Sequence, residues 1–199
     1  MKFSQREKKD LFYAGLMISL AFAILLGGGY QSLLSFNSGL INAFVAAFFT
    51  AGIGFLLHEI MHKYAAQSYG LRAEFKAFYN MLWIALGSSL FGFIFAAPGA
   101  VFISGANISR EKNGKISLAG PMTNIVLAII FLIALLIVGK GGVLGEVFGF
   151  GLTINALLGA FNMIPIMPFD GAKIVAWNKG VYYITLIAAV GLYLGSWIV

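Results

Sequence analysis

Phe55-Leu56-Leu57-His58-Glu59-Ile60-Met61-His62-Lys63 is the stretch on which the reading of this chain turns. It holds both histidines of the 199-residue chain, four positions apart, with a glutamate directly after the first. Residues i and i+4 share one face of a helix, so two imidazoles there can grip one metal ion. Glu59 then sits beside the ion at the right reach for a general base. This is the H-E-x-x-H zinc pattern. The plain alternative is a pair of histidines packed on one helix face. The setting argues against it, because Leu40 to Leu57 carry no charge at all. Ionisable groups inside a membrane are costly and default to function.

Composition fixes that setting. The chain is 60% hydrophobic and 10% charged, whereas soluble domains are roughly 45–50% apolar and about 25% charged. A chain this apolar has no way to hide its surface in a water-soluble fold, so it is expected to be an integral membrane protein with residues 1–199 forming a single domain. The net charge of +6 does not point to nucleic acid. The basic residues lie in short segments between apolar runs, a pattern that orients a membrane protein. No cysteine is present, so no disulfide framework exists. Lys2, Arg6, Lys8 and Lys9 precede the first apolar run. They predict an uncleaved first span with a cytoplasmic N-terminus, in a multi-pass protein of the cell membrane.

A spanning helix needs about 20 mostly apolar residues. Residues 11–30, 40–66, 116–138, 147–166 and 181–199 qualify, and residues 81–97 form a further apolar run interrupted by Gly87-Ser88-Ser89. With a cytoplasmic N-terminus the second span runs inward. His58 then lies about 27 Å along it, near the cytoplasmic face. A third ligand must share that depth. The best candidate is Asp170, which follows the run 147–166. Asp170 reaches the cytoplasm only if residues 81–97 do not cross fully, so a re-entrant or interfacial element is predicted, bent at Gly87-Ser88-Ser89 and ended by Pro98. With that topology only Lys140 of the 13 basic residues falls outside, as the positive-inside rule favours. Ala100 to Ser104 is strand-like, and Leu71 to Phe78 alternates apolar and polar. Asn113-Gly114 reads as a turn before the next helix. The expected fold is therefore an all-α integral membrane protein of five to six transmembrane helices, with a re-entrant element and a small β-sheet at the membrane boundary.

Two more stretches carry chemistry. In Phe161-Asn162-Met163-Ile164-Pro165-Ile166-Met167-Pro168-Phe169-Asp170-Gly171 two prolines remove two backbone donors and break the helix. That opens a place for water beside Asp170, which on the plain reading is a solvated aspartate at a helix end. Catalytic zinc usually has three protein ligands plus water, which favours Asp170 as the third. In Gly120-Pro121-Met122-Thr123-Asn124 the Gly-Pro pair reads as a helix start. It leaves Asn124 unexplained: this amide either bonds across helices or contacts substrate.

These three stretches, in this order and spanning most of the chain, resemble the motifs of the site-2 protease family of intramembrane zinc metalloproteases. The resemblance implies one zinc ion per chain, held by His58, His62 and Asp170, with Glu59 as catalytic acid and base. It also implies Asn162 near the reacting carbonyl and Asn124 near the site. The expected activity is zinc-dependent hydrolysis of peptide bonds in or next to transmembrane segments of membrane-anchored substrates. The partners are then a transmembrane protein and the lipid bilayer, with no nucleic acid. The alternative from another class is a zinc-binding membrane transporter or scaffold. A transporter should carry polar residues along a path through the bilayer, whereas here the ionisable groups gather at one depth.

Overall fold

A computed structural model describes residues 1–35, 38–106 and 108–199. The elements in chain order begin with α1 (Gln5–Leu26), α2 (Tyr30–Ser35) and α3 (Ser38–Ala47). A π-helical turn, Phe48–Gly52, leads into α4 (Ile53–Ser68). Then come β1 (Arg72–Ala77), α5 (Tyr79–Ser89), β2 (Gly99–Ser104), α6 (Arg110–Val138), α7 (Gly142–Asn162), α8 (Asp170–Trp177) and α9 (Lys179–Gly195). Among the described residues four helical stretches are long and apolar enough to cross a membrane: Gln5–Leu26, Gly39–Ser68, Arg110–Val138 and Gly142–Asn162. α9 is apolar too but has 17 residues. The protein is thus mostly helical and membrane-integral, with one two-stranded sheet.

Local chemistry sets several boundaries. α1 starts on a capping box, in which Ser4 Oγ accepts from Glu7 N at 3.1 Å and Glu7 Oε2 accepts from Ser4 N at 3.4 Å. It stops where Gly28 and Gly29 take positive φ, +92° and +73°. α5 runs through Gly87-Ser88-Ser89 without the bend expected there and is followed by a turn at Leu90-Phe91-Gly92, where Gly92 has φ +85°. Asn113-Gly114 is not a turn. Ser109 caps α6 by accepting from Lys112 N at 3.2 Å, and the helix passes straight through Gly114. A side chain there would collide with the Trp177 ring, so Gly114 serves packing rather than turning. Gly120-Pro121 likewise lies inside α6 rather than at its start. α7 ends at Asn162, short of the first proline, because proline disfavours helix at the residue before it.

The chain divides into two compact units. The first comprises Met1–Leu56 and Glu74–Phe102. Here α1 packs on α3 and the π-helical turn, with Gly15 and Ser19 one turn apart at the contact, a small-xxx-small pair that lets backbones approach. A side chain at Gly52 would collide with Ser19 Oγ. Two carboxylates of α1 face β1: Glu7 Oε1 accepts from Phe75 N at 2.9 Å and Asp10 Oδ2 from Ala77 N at 3.2 Å. Alternate strand residues aim their N–H groups the same way, so the acids close one edge of β1. β2 pairs with the other, where Phe78 N donates to Pro98 O at 3.0 Å.

The second unit comprises Leu57–Ala73 and Ile103–Val199. α6 is its central helix, packed against α7, α8 and α9. Ala128, Leu135, Leu152 and Ala156 form one core, flanked by Phe131, Phe148 and Leu192. Gly151 makes room for the Phe131 ring, since any side chain there would meet it. Met163, Ile174 and Tyr182 form a second core where α7 hands over to α8 and α9. Ile130, Ile133 and Ile137 of α6 and Ile184 and Ile187 of α9 stay exposed. On a membrane-integral protein such residues are the lipid-facing surface.

The second unit also has two distinguishable ends. Lys115, in the first turns of α6, lies 5.9 Å from the ring of Trp177 at the end of α8. At the far end, Lys140 Nζ donates to Ile198 O at 3.1 Å. α6, α7 and α9 therefore run end to end in alternating directions.

Candidate metal centre

His58 and His62 project from successive turns of α4, and their rings meet edge to face with centroids 4.7 Å apart. His62 Nε2 lies 3.0 Å from His58 Nε2. Asp170 Oδ2 lies 3.4 Å from His58 Nε2 and 3.0 Å from His62 Nε2. All three residues are buried. Their ligand atoms fall within 4.8 Å of one another.

Each ring is held by its other nitrogen. His58 Nδ1 is 2.6 Å from Asn124 Oδ1, and His62 Nδ1 is 2.9 Å from the carbonyl of Ile116. Both partners are acceptors, so each Nδ1 carries the proton and donates. Each Nε2 then offers a lone pair inward. Two lone pairs and a carboxylate oxygen converge on one buried point without a donor among them, an arrangement that calls for a cation. Gly120 leaves space for it: a Cβ there would collide with both Nε2 atoms. Two imidazoles and one carboxylate are also a donor set suited to zinc, with a fourth position left for water.

The aspartate is delivered by the broken segment after α7. Asp170 opens α8, where the helix dipole favours a carboxylate. Gly171 permits the approach, because a Cβ there would collide with the Met163 carbonyl. Lys173 adds a cation 3.6 Å from Oδ1, the oxygen turned away from the histidines.

The structure therefore brings His58, His62, Asp170 and Asn124 together. Between the two readings of Asn124 it favours the first, a bond across helices, made to a histidine. Glu59 is buried and follows His58 on the same helix. Asn162 donates from Nδ2 to Leu158 O at 2.9 Å within α7. Sequence reasoning passed over the Ile116 carbonyl, which carries no side-chain signal. It also passed over Asn155, a fully buried amide bonded to Asn124 at 3.1 Å. The signal for Asn155 was the same as for Asn124: one amide inside an apolar run.

A family model described as peptidase family M50 matches residues 43–143. A protein of Methanocaldococcus jannaschii is 40% identical over 98% of this chain and 98% of its own length. One of Bacillus subtilis is 26% identical over 62% of this chain and 64% of its own. Both bear the name "Putative zinc metalloprotease". A second M. jannaschii protein, named a zinc metalloprotease, is 27% identical over 62% of this chain and 31% of its own length. No solved structure matches the chain. Nothing in these comparisons supports a transporter or scaffold.

Proposed function

Because the chain belongs to peptidase family M50, the site-2 protease family of intramembrane zinc metalloproteases, we propose that it cleaves membrane-anchored proteins within or beside their transmembrane segments, using Glu59 as acid and base. The observation that carries this reading is the convergence of His58 Nε2, His62 Nε2 and Asp170 Oδ2 at one buried point. His58, His62 and Asp170 would hold one zinc ion. When bound, zinc lowers the pKa of a coordinated water from about 15.7 to about 7 and polarises a carbonyl. Glu59 accepts the proton of the attacking water and delivers it to the leaving amine. Asn162 donates to the oxyanion from the amide hydrogen not used on Leu158. Asn124 holds the His58 ring.

The chain acts as a single protease domain of the cell membrane, N-terminus in the cytoplasm, with α1, the α3–α4 stretch, α6, α7 and α9 as five crossings. α5 has 11 residues, about 16 Å of helix, against a hydrocarbon core of about 30 Å. Together with the irregular residues that follow, it forms the re-entrant element. The metal centre then lies on the cytoplasmic side, because His62 bonds Ile116 at the Lys115 end of α6. A helical substrate hides its scissile amide in i to i−4 bonds and must unwind. The sheet offers a place for the unwound segment: one edge of β1 is closed by Glu7 and Asp10, which leaves the outer edge of β2 to receive it by strand addition.

The test compares wild type with Glu59→Gln on a panel of single-span substrates in detergent or liposomes, with metal analysis of both proteins. Zinc should stay at one per chain in both. Cleavage by the variant should fall by at least about 10² to 10⁴, the usual contribution of acid–base catalysis. A variant that cleaves at the wild-type rate removes Glu59 from the mechanism. Wild-type protein that binds zinc but cleaves no membrane substrate removes the proposed activity.

A further inference from the structure

The bond that holds His58 is itself held. Asn124 Nδ2 donates to Asn155 Oδ1 at 3.1 Å, and Asn155 Nδ2 donates to the Gly151 carbonyl at 2.9 Å. Asn124 and Asn155 are both completely buried. The order of this chain can be deduced from its far end. A backbone carbonyl only accepts. The Asn155 atom facing Gly151 must therefore be nitrogen, which turns its oxygen toward Asn124. That oxygen requires the nitrogen of Asn124, which turns the oxygen of Asn124 toward His58. His58 Nδ1 must then be the protonated nitrogen, and Nε2 the one with a free lone pair. Reversing either amide would press two acceptors together at about 3 Å and lose the bond between them.

We propose that Asn155 is a positioning residue for the metal centre: it fixes the orientation of the Asn124 amide and through it the tautomer in which His58 presents Nε2 to zinc. This rests on the zinc-binding reading above and extends it from the ligands to the buried polar chain behind them. Asn155 touches neither zinc nor substrate. It works because α7 comes close to α6 at this level, where Gly151 admits the Phe131 ring and Gly159 lies 3.6 Å, measured from its ideal Cβ position, from Asn124 Cβ. His62 needs no such relay, since its acceptor is the Ile116 carbonyl, which has one possible role. The two histidines are thus oriented by different means, one by backbone directly and one by backbone through two amides.

The relay and a merely structural role separate on two substitutions of similar size. Asn155→Leu fills the space but offers Asn124 no acceptor. Asn155→Asp, as the neutral acid, reproduces both bonds: its hydroxyl donates to Gly151 O and its carbonyl accepts from Asn124. Zinc affinity of the purified full-length protein is measured by chelator competition, alongside thermal stability of the metal-free forms. Asn155→Leu should bind zinc about 10–100-fold more weakly, the range for lost outer-shell partners. Asn155→Asp should stay within about threefold of wild type. In an Asn124→Ala background, Asn155→Leu should weaken zinc no further, since the relay is already cut. Wild-type affinity in Asn155→Leu overturns the proposal, whatever its melting temperature. So does an Asn155→Asp that fails as badly as Asn155→Leu. If Asn155→Leu does not fold, Asn155→Asp decides alone, and a loss above about tenfold refutes the relay. Wild-type protein that binds no zinc would instead sink the underlying reading, so the two failures are distinct.

Discussion

Gly120 shows how a residue without a side chain can decide a metal centre. Both Nε2 atoms point at the space its missing Cβ would take. Gly120→Ala should gain up to about 1 kcal/mol of helix propensity but suffer about 1–3 kcal/mol of overpacking in a buried site. Overpacking wins, so the metal-free protein should melt slightly lower. The larger effect should be on zinc, whose affinity should fall at least about tenfold as the rings turn aside; chelator competition checks this. Wild-type affinity in that variant would mean that the rings converge elsewhere. The same residues mark what a sequence can and cannot disclose at this scale. His58, His62 and Asp170 could be read as candidate ligands because ligand chemistry demands particular side chains at particular spacing, and the structure places them together. The role of Gly120 was not, because a glycine records only that something else comes close. Nor was the Ile116 carbonyl legible, because backbone groups leave no mark in the sequence.

At the scale of elements, α1 and β1 are joined by acids that composition alone would assign to a solvated N-terminal segment. Glu7 and Asp10 bond backbone N–H groups of β1, and Asp10 Oδ1 also accepts from the Tyr79 hydroxyl at 2.7 Å. The hydrogen bond to Asp10, then burial, raises the Tyr79 phenol above its ordinary value. A group whose folded pKa is raised contributes stability that is complete below the unfolded pKa, near 10 for tyrosine. That stability is lost as pH climbs through the folded value. Wild type should therefore lose stability above about pH 10, and Tyr79→Phe should lose less over the same range. Tyr79 is 43% exposed, so the variant should be only about 1 kcal/mol less stable at neutral pH. Thermal melts in detergent from pH 8 to 11 test both statements; parallel curves for the two proteins would remove Asp10 as the partner. Of the elements themselves, the long apolar helices and both strands were readable from hydrophobic runs and alternation. Their ends were less so. Gly114 looks like a turn signal but answers to Trp177, and Gly120-Pro121 looks like a helix start but lies inside α6. Glycine serves both turning and close approach, and only tertiary contact separates the two uses.

On the scale of the whole molecule, the side of the membrane that each end faces can be read by chemical labelling, and the chain is well suited to it. It contains no cysteine, so single-cysteine variants need no altered background. Within the second unit, Lys115 and Trp177 mark one end and Lys140 and Ile198 the other. The positive-inside rule puts the lysine-rich end in the cytoplasm. The broken segment before Asp170 leads into α8, which ends at Trp177, so the metal centre goes with that end in either orientation. Lys140→Cys should react with a membrane-impermeant maleimide in intact cells. Lys112→Cys and Lys179→Cys should react only after permeabilisation. If residues 81–97 crossed the bilayer completely, all three would exchange sides together, with Lys112 and Lys179 labelled from outside and Lys140 protected. The experiment thus reads the topology of α5 and its following loop through residues far from it in sequence, where a substitution leaves that element intact. A reversed pattern would also move the metal centre to the outer face and require substrates to be cut from there.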